Sequence, residues 1–297
     1  MSLPPSEIPQ GAIRFNTDSQ RLEFYAQGEW WVMSSDTPNL ATAGDPTPGA
    51  RGVWGGGYNS GGTDFNVLDY VNISSTGNAI DFGDMIDAAN NTKGSCASSI
   101  RGLWAGGNDE PGTNSNRIEY ITFASTGNSI DFGDLTVARR GVGGVSSATR
   151  GVFGGGRTPA NNTTMDYVTI ASTGNAVDFG DLLTPGASQY PDTCASPTRG
   201  IFKAGSPATI DFITIASLGN TSDTGADLTS NRTALASMSS KTRAVFAGGY
   251  SPSSPYPETN IIDYQHFISN GNFVDFGDLT TDFRNTAGLS NGHGGLG

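Results

Sequence analysis

The sequence is poor in charge, in histidine and in cysteine. Only 15% of its 297 residues are Asp, Glu, Lys or Arg, and the balance is acidic, at −12. An acidic surface repels phosphate backbones, so no nucleic-acid partner is expected. No run approaches the roughly 20 apolar residues of a membrane helix, so no membrane insertion is expected. The opening MSLPPSEIPQG lacks a basic stretch followed by an apolar one, so no secretory signal is expected. The two histidines, His266 and His293, stand outside any metal-ligand cluster, which argues against a metal centre and a hydrolase triad. Two cysteines, Cys96 and Cys194, make neither a disulfide framework nor a zinc site. No cofactor is expected, and no catalytic residue stands out.

Glycine is abundant instead, at 42 residues, with Asn, Ser and Thr. That composition favours short strands joined by tight turns. Apolar residues recur at fixed places, which excludes a disordered glycine-rich chain.

Five segments repeat. The first landmark is an arginine, then an aromatic three residues later, then small residues: Arg51…Trp54, Arg101…Trp104, Arg150…Phe153, Arg199…Phe202 and Arg243…Phe246, at spacings of 50, 49, 49 and 44. The second pairs an acid with an aromatic: Asp69-Tyr70, Glu119-Tyr120, Asp166-Tyr167, Asp211-Phe212 and Asp263-Tyr264. The third is a Gly-Asn turn, beginning at Gly77, Gly127, Gly174, Gly219 and Gly271. The fourth is Asp-Phe-Gly-Asp, starting at Asp81, Asp131, Asp178 and Asp275, and decayed to Asp223-Thr-Gly-Ala-Asp227 in the fourth repeat.

Each unit reads as four strands. In the second repeat these are Gly94–Ser98, Arg101–Gly106, Ile118–Ala124 and Ser129–Leu135. Four strands in about 45–50 residues predict one propeller blade. A blade cannot cover both its faces alone, whereas stacked blades cover each other. The first repeat starts at Arg51 with no clear first strand. The chain's end, Arg284–His293, aligns with the first strands of other repeats, Leu289 falling where Cys96, Val145, Cys194 and Met238 fall. The expectation is an all-β chain: a five-bladed β-propeller of four-stranded blades, closed by the C-terminal strand, over residues 51–297. Cys96 and Cys194 then occupy equivalent apolar positions in blades that are not neighbours.

The hydrophobic run ending in paired glycines, once per blade, resembles the kelch-like propeller class. The later tryptophan of a kelch blade is missing. The N-terminal segment, Gly11-Ala-Ile-Arg-Phe-Asn-Thr followed by Leu22-Glu-Phe-Tyr25 and Gly28-Glu-Trp-Trp-Val32, resembles a motif of bacteriophage tail-fibre and other virion proteins. It reads as a hairpin plus a third strand over residues 1–37, with Ile13 and Phe15 alternating outward from Leu22 and Phe24. So small a sheet needs cover. Phe15, Phe24, Trp30 and Trp31 are therefore candidate attachment or oligomer residues, and 38–50 is a Pro/Gly/Ala/Thr linker.

These resemblances imply a virion structural protein. Its N-terminal module contacts other virion proteins, and its propeller faces outward for host attachment, to a surface glycan or protein. A homo-oligomer, such as a trimer, would suit a fibre. A capsid-decoration role is the alternative, and a carbohydrate-active enzyme the least favoured.

The repeated residues read as architecture. Phe82, Phe132, Phe179 and Phe276 are expected to plug between blades, and the flanking aspartates to bond turn amides rather than hold calcium. The five arginines are expected to pair with the five repeated acids. Binding is sought where symmetry breaks, in the loops between strands two and three, which share a face with the blade-to-blade connectors. Tyr58, Phe65, Tyr250 and Tyr256 in the first and fifth repeats are the candidate ligand-binding residues.

Overall fold

Alternating side-chain burial, bounded by Gly, Asn and Ser, produces strands throughout. A computed structural model describes residues 8–16, 21–32, 51–57, 63–73, 76–88, 94–110, 113–183, 191–203 and 209–284. They belong to two units, Met1–Thr47 and Pro48–Gly297. The described residues are all-β, in small antiparallel sheets of two to four strands.

The first unit holds β1 (Ile13–Asn16), β2 (Arg21–Ala26) and β3 (Glu29–Val32) in that order. Its register places Ile13 opposite Phe24, Phe15 opposite Leu22, and Phe24 opposite Trp31. Cross-strand partners share a face. Ile13 and Phe15 therefore point the same way as Leu22 and Phe24, not away from them. Trp30 lies on the other face, under the Arg14 guanidinium at 4.1 Å and edge-on to Tyr25.

In the second unit the first repeat gives a three-stranded sheet: β4 (Arg51–Gly55), β5 (Val67–Asn72) and β6 (Ile80–Asp84). The second gives β7 (Gly94–Ala97), β8 (Arg101–Ala105), β11 (Arg117–Thr122) and β12 (Ile130–Asp134), with a small hairpin of β9 (Asn108–Glu110) and β10 (Thr113–Asn114) in its loop. The third gives β13 (Gly143–Ser146), β14 (Arg150–Gly154), β15 (Thr164–Thr169) and β16 (Val177–Asp181). The fourth gives β17 (Asp192–Ala195), β18 (Arg199–Lys203), β19 (Thr209–Thr214) and β20 (Ser222–Asp227). The fifth gives β21 (Ala236–Ser239), β22 (Arg243–Ala247), β23 (Ile261–His266) and β24 (Val274–Asp278). We number these sheets 1 to 5. The observed strands match those expected for the second repeat to within two residues. The C-terminal strand expected beside β4, with Leu289, lies outside the described residues.

Consecutive sheets pack face to face. β13 neighbours both β7 and β17, and β17 neighbours β21. The core is a series of inter-sheet layers. Leu68, Phe82 and Met85 of sheet 1 meet Ile121 of sheet 2. Cys96, Leu103 and Phe132 of sheet 2 meet Phe153, Val168 and Ile170 of sheet 3. Val152, Met165 and Phe179 meet Phe202, Ile213 and Ile215, and Cys194 and Ile201 meet Ala244, Phe246 and Phe267. Each buried Val, Leu, Ile, Phe or Met among them contributes about 1.5–3 kcal/mol.

The Asp-Phe-Gly-Asp strand supplies the plug through a β-bulge. Ile118 pairs with Gly133 and Glu119 with Asp131, so Phe132 is the extra residue and turns into the next sheet. Gly133, at φ +144°, is required there: a Cβ would come within about 2.4–2.5 Å of the backbone of Gly174, in the next sheet's Gly-Asn turn. That turn returns two bonds, Gly174 N to the Phe132 carbonyl and Asp134 N to Asn175 Oδ1. Gly83 with Gly127 and Gly180 with Gly219 repeat this approach.

One plug differs. Phe82, Phe132 and Phe179 are each 2% exposed, whereas Phe276 of sheet 5 is 56% exposed. On sheet 1, Trp54 is 52% exposed, whereas Trp104 at the same place is half-buried and Phe153, Phe202 and Phe246 are fully buried.

Candidate functional site

The repeated charged residues are absorbed by architecture, but not in the expected pairs. Each arginine lies over its own sheet's aromatic: Arg51 on Tyr70, Arg101 on Tyr120, Arg150 on Tyr167, Arg199 on Phe212 and Arg243 on Tyr264, at 4.5–5.0 Å. The guanidinium then donates to a backbone carbonyl of the next sheet. Arg51 reaches Phe123, Arg101 reaches Ile170, Arg150 reaches Ile215 and Arg199 reaches Phe267. A cation on a ring and a buried carbonyl acceptor are enough to hold it, so no carboxylate is needed.

The acids serve the previous sheet's exit. Glu119 accepts from the Ile86 amide, Asp166 from Thr136, Asp211 from the Leu183 amide and Asp263 from Thr229. All four acids are buried. Two receive arginines that the repeat alignment does not carry. Arg139 contacts Asp166 at 2.9 Å with both side chains fully buried, and Arg232 contacts Asp263 in the same way. On the outer strand, Asp81 and Asp275 accept from the Gly83 and Gly277 amides, two residues on at the bulge inside the strand and not at a turn. Among the described residues no cluster of three or more potential metal ligands occurs.

Both cysteines are buried and free, and burial pushes each thiol up to about 12. They line separate inter-sheet layers as small apolar groups, Cys96 between sheets 2 and 3 and Cys194 between sheets 4 and 5. The sulfur of Cys96 fills the space above Gly151, where an added Cβ would come within 2.5 Å.

Symmetry breaks in the loop of the fifth repeat, between β22 and β23. A cleft of about 490 Å³ opens there, lined by Tyr250, Pro252, Pro255, Tyr256, Glu258 and Arg284. It joins the strand-two to strand-three loop to the chain leaving β24, as the shared face requires. Tyr250 holds the position of Arg157 in the third repeat. Each bridges back to the incoming connector and forward across its own loop: Tyr250 to Thr233 and Glu258, Arg157 to Arg140 and Asn161. The loop is pinned by its backbone. Ser251 N donates to the Pro257 carbonyl, Tyr256 N to Ser253, and Thr259 N to Gly249. This holds Tyr256 at φ +60° with 54% of its surface exposed. Arg284 lies over the Tyr250 ring at 4.8 Å and 3.4 Å from Glu258, both charged side chains being under half exposed.

The structure thus brings together two of the four candidate ligand residues, Tyr250 and Tyr256. Phe65 stands 41% exposed on the loop before β5 and does not line the cleft. Tyr58 lies outside the described residues. Sequence reading missed Glu258, which no repeat pattern marks, and took Arg284 only as the start of the C-terminal segment that aligns with the first strands. In the N-terminal sheet, Phe15 and Trp31 are exposed and share a face with Phe24, while Trp30 turns to the opposite side. Comparison with protein-family models and with curated proteins finds no match.

Proposed function

We propose that the five sheets close into a five-bladed propeller. Two sets of complementary half-contacts support this reading. On sheet 5, Arg243 stacks on Tyr264 with no carbonyl of a next sheet before it among the described residues, Phe276 is exposed, and Gly277 has nothing within 4 Å of a built Cβ. Sheet 1 carries the missing halves: the carbonyl of Ile73, the exposed Ile73 side chain, and the Gly77-Asn78 turn. Asp69 is the fifth acid. Its equivalents serve Thr136 and Thr229, two residues past the outer strand, and the matching residue of sheet 5 is Thr280. The C-terminal segment with Leu289 then completes the first blade beside β4.

On this scaffold the chain acts as a bacteriophage virion protein, attached through its N-terminal sheet and displaying the propeller for host adhesion. One observation carries the attachment: Ile13, Phe15, Leu22, Phe24 and Trp31 form one apolar face on a three-stranded sheet, Ile13 being 63% and Phe15 58% exposed. A face of that kind on so small a sheet marks an interaction surface. Its partner in this reading is another virion protein or another copy of the chain. Electron microscopy of particles labelled with an antibody to the propeller tests this. Label on fibres is the expected result. Label over the shell supports capsid decoration instead, and particles without label overturn both.

A further inference from the structure

We propose that the fifth-repeat cleft binds a neutral pyranose sugar, with Tyr256 as the stacking platform and the Glu258–Arg284 pair as the hydroxyl-reading group. This rests on the display reading and names the ligand class of its recognition loop.

Three features lead to this chemistry. The Tyr256 ring is exposed, yet its amide donates to the Ser253 carbonyl, and it is flanked by Pro255 and by Pro257, whose carbonyl accepts from the Ser251 amide. A fixed aromatic loses little freedom on binding, and it offers a flat apolar surface to the C–H face of a sugar ring. Glu258 and Arg284 stand 3.4 Å apart on the same cleft wall. Together they present acceptors and donors at adjacent points, the pattern that two neighbouring hydroxyls satisfy. The Arg284 guanidinium is also held over Tyr250, so it is oriented before a ligand arrives.

Charge selects among sugars. Arg284 is already balanced by Glu258, and the chain carries −12 overall. A carboxylated or phosphorylated ligand would meet the Glu258 carboxylate and an unfavourable long-range field. The cleft volume of about 490 Å³ lies within the roughly 300–1,000 Å³ of small-molecule sites.

The test is saturation-transfer difference NMR on the full chain. The probes are the methyl pyranosides of glucose, galactose and mannose, with sodium glucuronate as the charged comparison. At least one neutral pyranoside should receive saturation, strongest at its ring C–H protons. Tyr256→Ala should weaken its binding about tenfold, and Glu258→Gln with Arg284→Gln should alter which pyranoside is preferred. The thermal transition of each variant should stay that of the parent, because these side chains are exposed. Saturation of none of the neutral probes overturns the proposal, as does binding that survives Tyr256→Ala or a preference for glucuronate. Host-cell binding unaffected by Tyr256→Ala removes this cleft while leaving the display reading intact. Absence of the chain from virions removes the display reading and leaves the sugar measurement standing.

Discussion

Asp192 and Lys203 face each other across β17 and β18, at a position filled elsewhere by Gly94 with Ala105, Gly143 with Gly154 and Ala236 with Ala247. Lys203 is fully buried, and Asp192 accepts from the Leu235 amide. Removal from water pushes the Asp192 carboxyl up to about 7 and the Lys203 ammonium down to about 8, with the nearby Arg232 charge also lowering Lys203. Breaking such a pair from one side is costly, while replacing both partners is often neutral or favourable. Lys203→Ala alone should destabilise by about 3–5 kcal/mol, and Asp192→Gly with Lys203→Ala should cost nothing or gain about 1–4 kcal/mol. Denaturant unfolding of the single and double variants measures both.

The same pair sets a pH dependence. A carboxyl raised on folding from 3.8 to about 7 gives stability that is full below about pH 4 and is lost as pH rises through about 7. A lysine lowered on folding from 10.5 to about 8 gives stability that is present above about pH 10.5 and is lost as pH falls through about 8. The pair is therefore least favourable between about pH 7 and 8. Thermal melts should show a shallow minimum in that window, and the double variant should flatten it.

Arg139 and Asp166 form a fully buried contact in which the guanidinium also donates to the Phe153 carbonyl. Arg139→Met should cost about 3–5 kcal/mol by stranding a buried carboxylate. Adding Asp166→Asn should recover part of that loss, because the amide still accepts from Thr136 without a buried charge. A double-mutant cycle in denaturant measures the coupling.

Gly133 and Gly277 are equivalent bulge glycines with different neighbours. Gly133→Ala should destabilise by about 2–4 kcal/mol, combining a strained φ with the collision against Gly174. If sheet 1 sits against sheet 5, Gly277→Ala should cost as much, because Gly77 then takes the place of Gly174. An open face leaves the φ strain alone, and a cost near 1 kcal/mol. Paired unfolding curves of the two variants give the comparison.

On the virion reading, Phe15→Asp with Trp31→Asp should abolish incorporation into particles and leave the thermal transition of the five-sheet unit unchanged. Quantitative blotting of purified particles, beside melts of the soluble variant, checks both halves.

Much of this architecture was legible because period and burial leave marks in the chain. Phe132 and its equivalents recur at one spacing, so their role between sheets could be read directly. The partners of Arg101 and Arg150 could not. A carbonyl acceptor belongs to every residue and leaves no compositional trace, so pairing with the repeated acids was the natural but wrong inference. Arg139 and Arg232 escaped notice because they occur in two repeats only. The β9–β10 hairpin grows from the strand-two to strand-three loop, whose sequence differs from repeat to repeat. At the cleft, Tyr250 and Tyr256 stood out as exposed aromatics in a loop. Glu258 and Arg284 join them only through folding, since 25 residues, β23 and β24 among them, separate the two charges. The N-terminal face was misread by one alternation, because a hairpin's register depends on where its turn falls.

The central claim is that sheet 1 lies against sheet 5 as each other sheet lies against its successor. Ile80, Ile130, Val177 and Val274 hold equivalent, exposed positions at the start of β6, β12, β16 and β24, each 54–58% exposed. Spin labels at Ile80→Cys and Val274→Cys, diluted with unlabelled protein, give one distance by pulsed electron resonance. Labels at Ile130→Cys and Val177→Cys give the reference for adjacent sheets. The buried, high-pKa Cys96 and Cys194 should escape labelling. A closed ring predicts the same distance for both pairs. A clearly longer Ile80–Val274 distance, with the reference pair unchanged, would contradict it.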